Sequence, residues 1–197
     1  MLTLPAGLGY TLAASPEPTT FLAIAGHLQL FRAPARLAEF LRDRASLARL
    51  PEPARWAALP PVRPDQLSPG PADTYDFTRL GRIFAAACPA DDRPIHRDNR
   101  GGWVRVEVRD GEASPATDLA RHVDLARRLF AALGHTSPLL DPARIEGTTG
   151  PIQAAAARAG RLDAAALHAG TTAPQRFRIA SWWWQLLDDL ALLISWR

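Results

Sequence analysis

The chain has no lysine, one cysteine, one methionine and only two tyrosines in 197 residues. Without lysine there can be no Walker-type phosphate loop, because G-x-x-x-x-G-K-[ST] needs that amine. All 23 basic residues are therefore arginine. Together with abundant Ala and Pro this is the mark of a GC-rich genome, so any single arginine says less about phosphate binding. The lone Cys88 excludes an intramolecular disulfide and a cysteine-rich zinc site, which fits a reducing compartment. Set before a proline, Cys88 reads as a small buried hydrophobe and not as a nucleophile. The start, M-L-T-L-P-A-G-L-G-Y, has neither the basic region nor the long apolar core of a signal peptide. The longest apolar run, Ile179–Trp196, carries Asp188 and Asp189 near its centre. A buried Asp there would cost about 2.5–3.5 kcal/mol in a bilayer. The expectation is a cytoplasmic protein without a membrane span. H-E-x-x-H, G-x-S-x-G and G-x-G-x-x-G are all missing, so the commonest metal, serine-nucleophile and dinucleotide signatures are excluded, and no cofactor is expected.

What is present is an ordinary globular balance of 47% hydrophobic and 22% charged residues, enough to bury a core. The 18 prolines, about twice the average frequency, require many irregular connections. The sequence pI is 9.9, yet the formal net charge is only +3. A dedicated nucleic-acid binder concentrates its charge more than this.

The C-terminus, Arg176–Arg197, reads R-F-R-I-A-S-W-W-W-Q-L-L-D-D-L-A-L-L-I-S-W-R and predicts one amphipathic helix with a broad apolar face. Each buried Trp removes roughly 4–6 kcal/mol of apolar surface from water before entropy costs. Trp182, Trp183 and Trp184 span much of a helix circumference at 100° per residue. The helix therefore either threads the middle of the fold or keeps one tryptophan, Trp182 by position, for a partner or a dimer surface.

Upstream, Gly9–Ala14 reads as a short strand. Thr20–Ala25 and Leu28–Phe31 read as a β-hairpin turning at Gly26-His27. Pro34 opens a helix whose apolar face is Leu37, Ala38, Phe40 and Leu41. A short helical turn starts at Pro53, with Trp56 pinned to the core. The five prolines of Pro60–Ala72 mark a loop and a sub-boundary between a strand–hairpin–helix unit (1–59) and a mainly helical part with one strand (73–197), both within a single domain of 1–197. Thr74–Ala87 fits strand or helix, with helix favoured and Asp73 or Thr74 as its cap. Trp103–Val108 alternates as a strand. Thr117–Leu133 is a helix ended by Gly134. Leu139–Ile145, Ile152–Arg158 and Leu162–His168 read as three short helical pieces. The fold expected is α+β: a small antiparallel sheet packed on helices, with a helical C-terminal half closed by the Trp-rich helix.

Few residues suggest chemistry. Asp91, Asp92, His96 and Asp98 gather three carboxylates and an imidazole in one loop, as hard-metal ligands can. EF-hand spacing is absent and no second histidine stands nearby, so a solvated loop explains the cluster as well and no metal is expected. His122 reads as a surface or boundary residue. G-T-T-G at Gly147–Gly150 would present amides to an anion if a helix began there. Arg36 and Arg42 belong to a run of arginines on the first helix. Diluted by Glu39, Asp43 and Glu52, it reads as a solvated face, or as the place where phosphate contacts would gather.

Phe21–Arg42 (F-L-A-I-A-G-H-L-Q-L-F-R-A-P-A-R-L-A-E-F-L-R) with Leu47–Trp56, and the closing Ile194–Arg197, resemble uncharacterised actinobacterial proteins sometimes labelled "primosomal protein". The resemblance implies an actinobacterial cytoplasmic protein with a replication role, and it carries over no catalytic residues. The residues themselves favour a non-enzymatic binding or regulatory protein acting through a protein partner or self-association. Weak nucleic-acid association in replication or repair, and a small enzyme with its site in the 88–102 loop, stay open.

Overall fold

The computed structural model describes residues 1–14, 20–97, 102–109 and 111–197. In chain order the elements are β1 (Leu2–Leu4), β2 (Gly7–Gly9), β3 (Ala13–Ala14), β4 (Thr20–Phe21), β5 (Ala23–Ile24) and β6 (His27–Leu30). Three helices follow: α1 (Pro34–Arg42), α2 (Arg44–Leu47) and α3 (Pro53–Ala57). Two 3-10 turns, Pro64–Leu67 and Pro71–Asp73, lead to β7 (Tyr75–Asp76) and α4 (Phe77–Ala86). After a further 3-10 turn, Ala90–Asp92, come β8 (Ile95–Arg97), β9 (Trp103–Arg105), β10 (Ala113–Pro115) and α5 (Asp118–Ala132). The chain ends with a 3-10 turn at Pro138–Leu140, α6 (Pro142–Ala159), β11 (Arg161–Asp163), α7 (Ala164–Gly170), α8 (Ala173–Leu192) and β12 (Ile194–Trp196). The result is an α+β fold in which strands pair in twos and threes and helices supply the bulk.

The centre of the fold is α8. Thr172 caps it with a reciprocal box: its hydroxyl accepts from the Gln175 amide, and the Gln175 side chain accepts from the Thr172 amide. Trp182, Trp183 and Trp184 are all buried, at 2%, 0% and 2% exposure. Of the two arrangements the sequence allowed, the helix threads the middle. Each indole N–H donates to a carbonyl on a neighbouring element: Trp182 to Leu139 (2.9 Å), Trp183 to Phe77 (2.9 Å) and Trp184 to Gly81 (3.2 Å). These bonds satisfy the one polar atom of each ring, which is what permits full burial.

The Trp-rich helix does not run to the end of the chain. Leu193 is the C-cap, and β12 then pairs in parallel with β6, Ile194 opposite Leu28 and Trp196 opposite Leu30. No Gly or Pro announces this break. The edge of β6 supplies the partners instead: Leu28 N–H donates to Leu193 O (2.8 Å) and Arg197 N–H to Leu30 O (2.8 Å). The other edge of β6 pairs with β5. Its two-residue turn is Ala25-Gly26, both at positive φ (50° and 77°), one residue before the turn expected from Gly26-His27. Trp103 therefore does not join the N-terminal hairpin. β9 pairs with β8, and strand geometry ends at Arg105, short of Val108.

Two further expectations change. Thr74–Ala87 is both of its readings in succession, since β7 pairs in parallel with β1 before α4 begins at Phe77. The cap is Asp76, accepting from Arg79 N–H (2.8 Å). G-T-T-G lies inside α6, which runs unbroken through Pro151, with Thr148 and Thr149 buried. Mid-helix amides are committed to carbonyls one turn back, so no helix N-terminus faces an anion there.

Apolar side chains form two clusters. The larger surrounds α8 and takes in α4, α5, Ile152 and Ala156 of α6, and Leu28 and Leu30 of β6. The smaller is Leu22, Phe31, Leu37, Leu47, Leu50 and Trp56, under α1–α3. The 112–115 segment is fastened to α4 by Arg82 and Glu112, paired at 2.6 Å with each side chain 16% exposed, and by Arg79 donating to Ala113 O.

Candidate functional site

The expected loop site is not assembled. Asp91 and Asp92 are exposed on the 3-10 turn, whose carbonyls are gathered by one guanidinium. Arg105 Nη1 donates to the oxygens of Ala90 (3.2 Å), Asp91 (2.6 Å) and Arg93 (3.3 Å). Both aspartates line a cleft with Ile95, Phe177 and Ser181. His96, the next residue along β8, turns to the opposite face, as strand alternation requires. There its ring stacks on Trp184 at 4.5 Å and lines a different cleft with Thr78, Arg82 and Val104. Asp98 lies outside the described residues. Among the described residues no three His, Cys, Asp or Glu side chains stand together as a metal site would need.

The partner residues separate too. Trp182 is buried in the main cluster, so it presents no surface. Arg36 pairs with Glu39 on the same exposed face at 3.0 Å, a contact that solvent screens to a few tenths of a kcal/mol. Arg42 reaches the carbonyl of Val62 at 3.4 Å, tying the end of α1 to the proline-rich segment.

That segment forms one wall of a groove that the sequence did not reveal. Residues of α1, α2 and α3 and the stretch 59–62 enclose about 600 Å³. Leu41, Leu47, Ala54, Leu59, Pro60 and Val62 make it apolar. Among the described residues its ionised lining groups are Arg42 and Arg44, both cationic. Leu59 is 39% exposed.

The local sequence explains the shape. Asp43 ends α1 and caps α2, accepting from Ala45 N–H (3.1 Å), Ser46 N–H (3.2 Å) and the Ser46 hydroxyl (2.6 Å). The Ser46 hydroxyl, then the Ala45 amide, holds its carboxyl below the usual range. Glu52 takes a left-handed φ of 53°, and Pro53 starts α3 in a new direction. Trp56 then anchors α3 from below, 2% exposed, its N–H donating to Pro51 O at 3.0 Å. Leu59 and the Pro60-Pro61 pair carry apolar surface back over the helices. The available signal was an apolar residue between an Ala-rich helix end and two prolines, which composition alone reads as loop.

Cys88 is buried, its thiol donating to Phe84 O at 3.6 Å and pushed up by burial, so it stays protonated. His122, expected near the surface, is 3% exposed. No helix among the described residues is long and apolar enough to cross a membrane.

Residues 1–95 match the family described as the SatS C-terminal domain. The match takes in the groove, α4 and the first residue of β8, and stops before β9 and the helices from α5 onward. No curated protein and no solved structure matches the chain.

Proposed function

We propose that the chain is a non-enzymatic binding protein that works by seating a protein partner in the groove between α1–α3 and residues 59–62. The observation that carries this reading is the groove's combination of volume, apolar lining and exposed Leu59. An open apolar concavity of this size is what a side-chain anchor from a partner requires. The two arginines that line it, with no carboxylate among the described lining residues, suit a segment carrying apolar anchors beside acidic residues. The groove also rests on its own small apolar cluster, so a partner can bind there without disturbing the tryptophan core.

The test is site-specific photocrosslinking in the native host. A benzoylphenylalanine at Ala57, on the groove wall, is expected to give a discrete protein adduct; the same probe at Arg144 on α6 is expected to give none. An adduct consisting of two copies of this chain would make the partner a second copy. Crosslinking to nucleic acid, lost steeply as salt rises, would replace this reading with the replication or repair alternative. No adduct at Ala57 would refute it.

A further inference from the structure

His122 stands at the meeting point of three elements and has one nitrogen with no partner. Its Nδ1 lies 2.6 Å from Asp118 O. A carbonyl can only accept, so Nδ1 carries the proton, and the neutral ring presents a bare lone pair at Nε2. Nε2 is buried and has no hydrogen-bond partner among the described residues. Around the imidazole stand Tyr75 of β7 (ring centroids 5.4 Å apart), Phe77 of α4 (4.9 Å) and Trp183 of α8 (6.4 Å).

The charged groups nearby are all engaged elsewhere. On α5 itself, Asp118 accepts from the Ser114 hydroxyl (2.5 Å) and pairs with Arg121 (3.3 Å). Arg121 lies over the Tyr75 ring and donates to Ala72 O (2.8 Å). From the facing segment, Asp76 caps α4 through the Arg79 amide. The contacts from α4 and α8 are the rings of Phe77 and Trp183. A second proton on His122 would therefore place a buried N–H⁺ with no acceptor, which folded interiors avoid by moving the group into water.

We propose that His122 is a proton-operated latch: uptake of one proton at Nε2 detaches the Tyr75–Phe77 segment from α5 and α8 while the rest of the core stays folded. The segment is suited to such release. It is two residues of strand paired only at the β1 edge, running straight into the first turn of α4. Its attachments to α5 and α8 include His122, Arg121 over Tyr75, the buried Phe77 ring stacked on Trp183 (5.8 Å) and the Trp183 N–H on Phe77 O. Burial also holds the imidazole below its ordinary value of 6.5, against the opposing pull of the Asp118 carbonyl and of the Asp118 and Asp76 carboxylates. The sign follows from linkage. The opened form takes up its proton near 6.5 and the closed form only at lower pH, so the contribution to closure is fully present above 6.5 and declines progressively as pH falls below it towards the closed-form value.

Hydrogen exchange of the Trp183 indole N–H, whose acceptor is Phe77 O, tests this on the full chain after correction for intrinsic rates, with the backbone amides of α6 as the control. Between pH 7.5 and 5.5, opening at the Trp183–Phe77 contact is expected to rise by up to about tenfold, the yield of one pH unit below the open-state value, while Ile152–Ala156 of α6 is unchanged. His122→Phe, which keeps the ring contacts and cannot take the proton, is expected to flatten that response. Should His122→Phe fail to fold, the titration of the His122 ring in the native protein, followed by NMR, must coincide with the loss of protection. Protection of the Trp183 indole N–H that ignores pH, a loss shared equally by α6, or an unchanged response in a folded His122→Phe would each overturn the latch.

Discussion

Gly81 illustrates how one atom sets the core. A Cβ at this position would stand 2.8 Å from the Trp184 ring and 3.1 Å from Trp183. Both indoles are locked by hydrogen bonds to α4 and have no room to yield. Gly81→Ala is therefore expected to destabilise the protein by about 1–3 kcal/mol through overpacking, despite the better helix propensity of alanine. At this chain length the melting temperature should fall by roughly 2–4 °C per kcal/mol, measured by calorimetry. The Arg82–Glu112 pair makes a second prediction. Its carboxylate holds the guanidinium charged more firmly than usual, chiefly by direct hydrogen bonding. Glu112→Gln leaves a partly buried cation without its counter-charge and should cost about 1–3 kcal/mol, whereas Arg82→Met with Glu112→Leu together should cost less. Urea unfolding of the two variants beside the unchanged protein separates the outcomes. Little at this scale was legible beforehand. Asp91, Asp92 and His96 are neighbours in sequence, yet the aspartates sit on the 3-10 turn before the β8–β9 hairpin and line one cleft while His96 lines another, and His122 reads as a boundary residue because its burial depends on Tyr75 and Phe77, far away in the chain.

Elements were more legible than residues, and the misses share a cause. α1 and α5 carry clean apolar stripes with punctuation, Pro34 at the start of one and Gly134 at the end of the other; α1 begins at Pro34 as expected, and α5 lies within one residue of its expected bounds. α6 was hidden because G-T-T-G-P has every local mark of a break, yet Ile152, Ala155 and Ala156 bury against the core and hold the helix together through Pro151. β12 was hidden for the opposite reason. Ile194–Trp196 continues the helical pattern without a breaker, and only the open edge of β6 pulls it into a strand. That pairing bears weight at several points: Arg32 lies 4.8 Å from the Trp196 ring, and a Cβ on Gly9 would meet the same ring at 2.9 Å. Trp196→Ala is expected to cost about 2–3 kcal/mol, below the range for a fully buried aromatic because the side chain is only partly covered. Hydrogen exchange should then quicken at Leu28–Leu30. Unchanged protection there would mean that β12 is not what secures β6.

At the scale of the molecule, the α+β class and the dominance of a Trp-rich helix followed from composition and periodicity. The groove did not, because it is made by the angle between short helices and by prolines folding back over them. Its base, the cluster around Trp56, is distinct from the cluster around α8. The account therefore predicts that binding and stability separate: a change in the groove lining should abolish one and spare the other. Leu59 is the residue on which to test it, since its side chain is exposed and lines the groove without entering the small cluster. The most direct measurement is the Ala57 crosslink yield in a Leu59→Glu background, with the melting curve recorded on the same preparation. The account predicts melting unchanged within the equivalent of about 0.5 kcal/mol, as for an exposed substitution, and loss of the crosslinked adduct; an adduct that persists at full yield would contradict it.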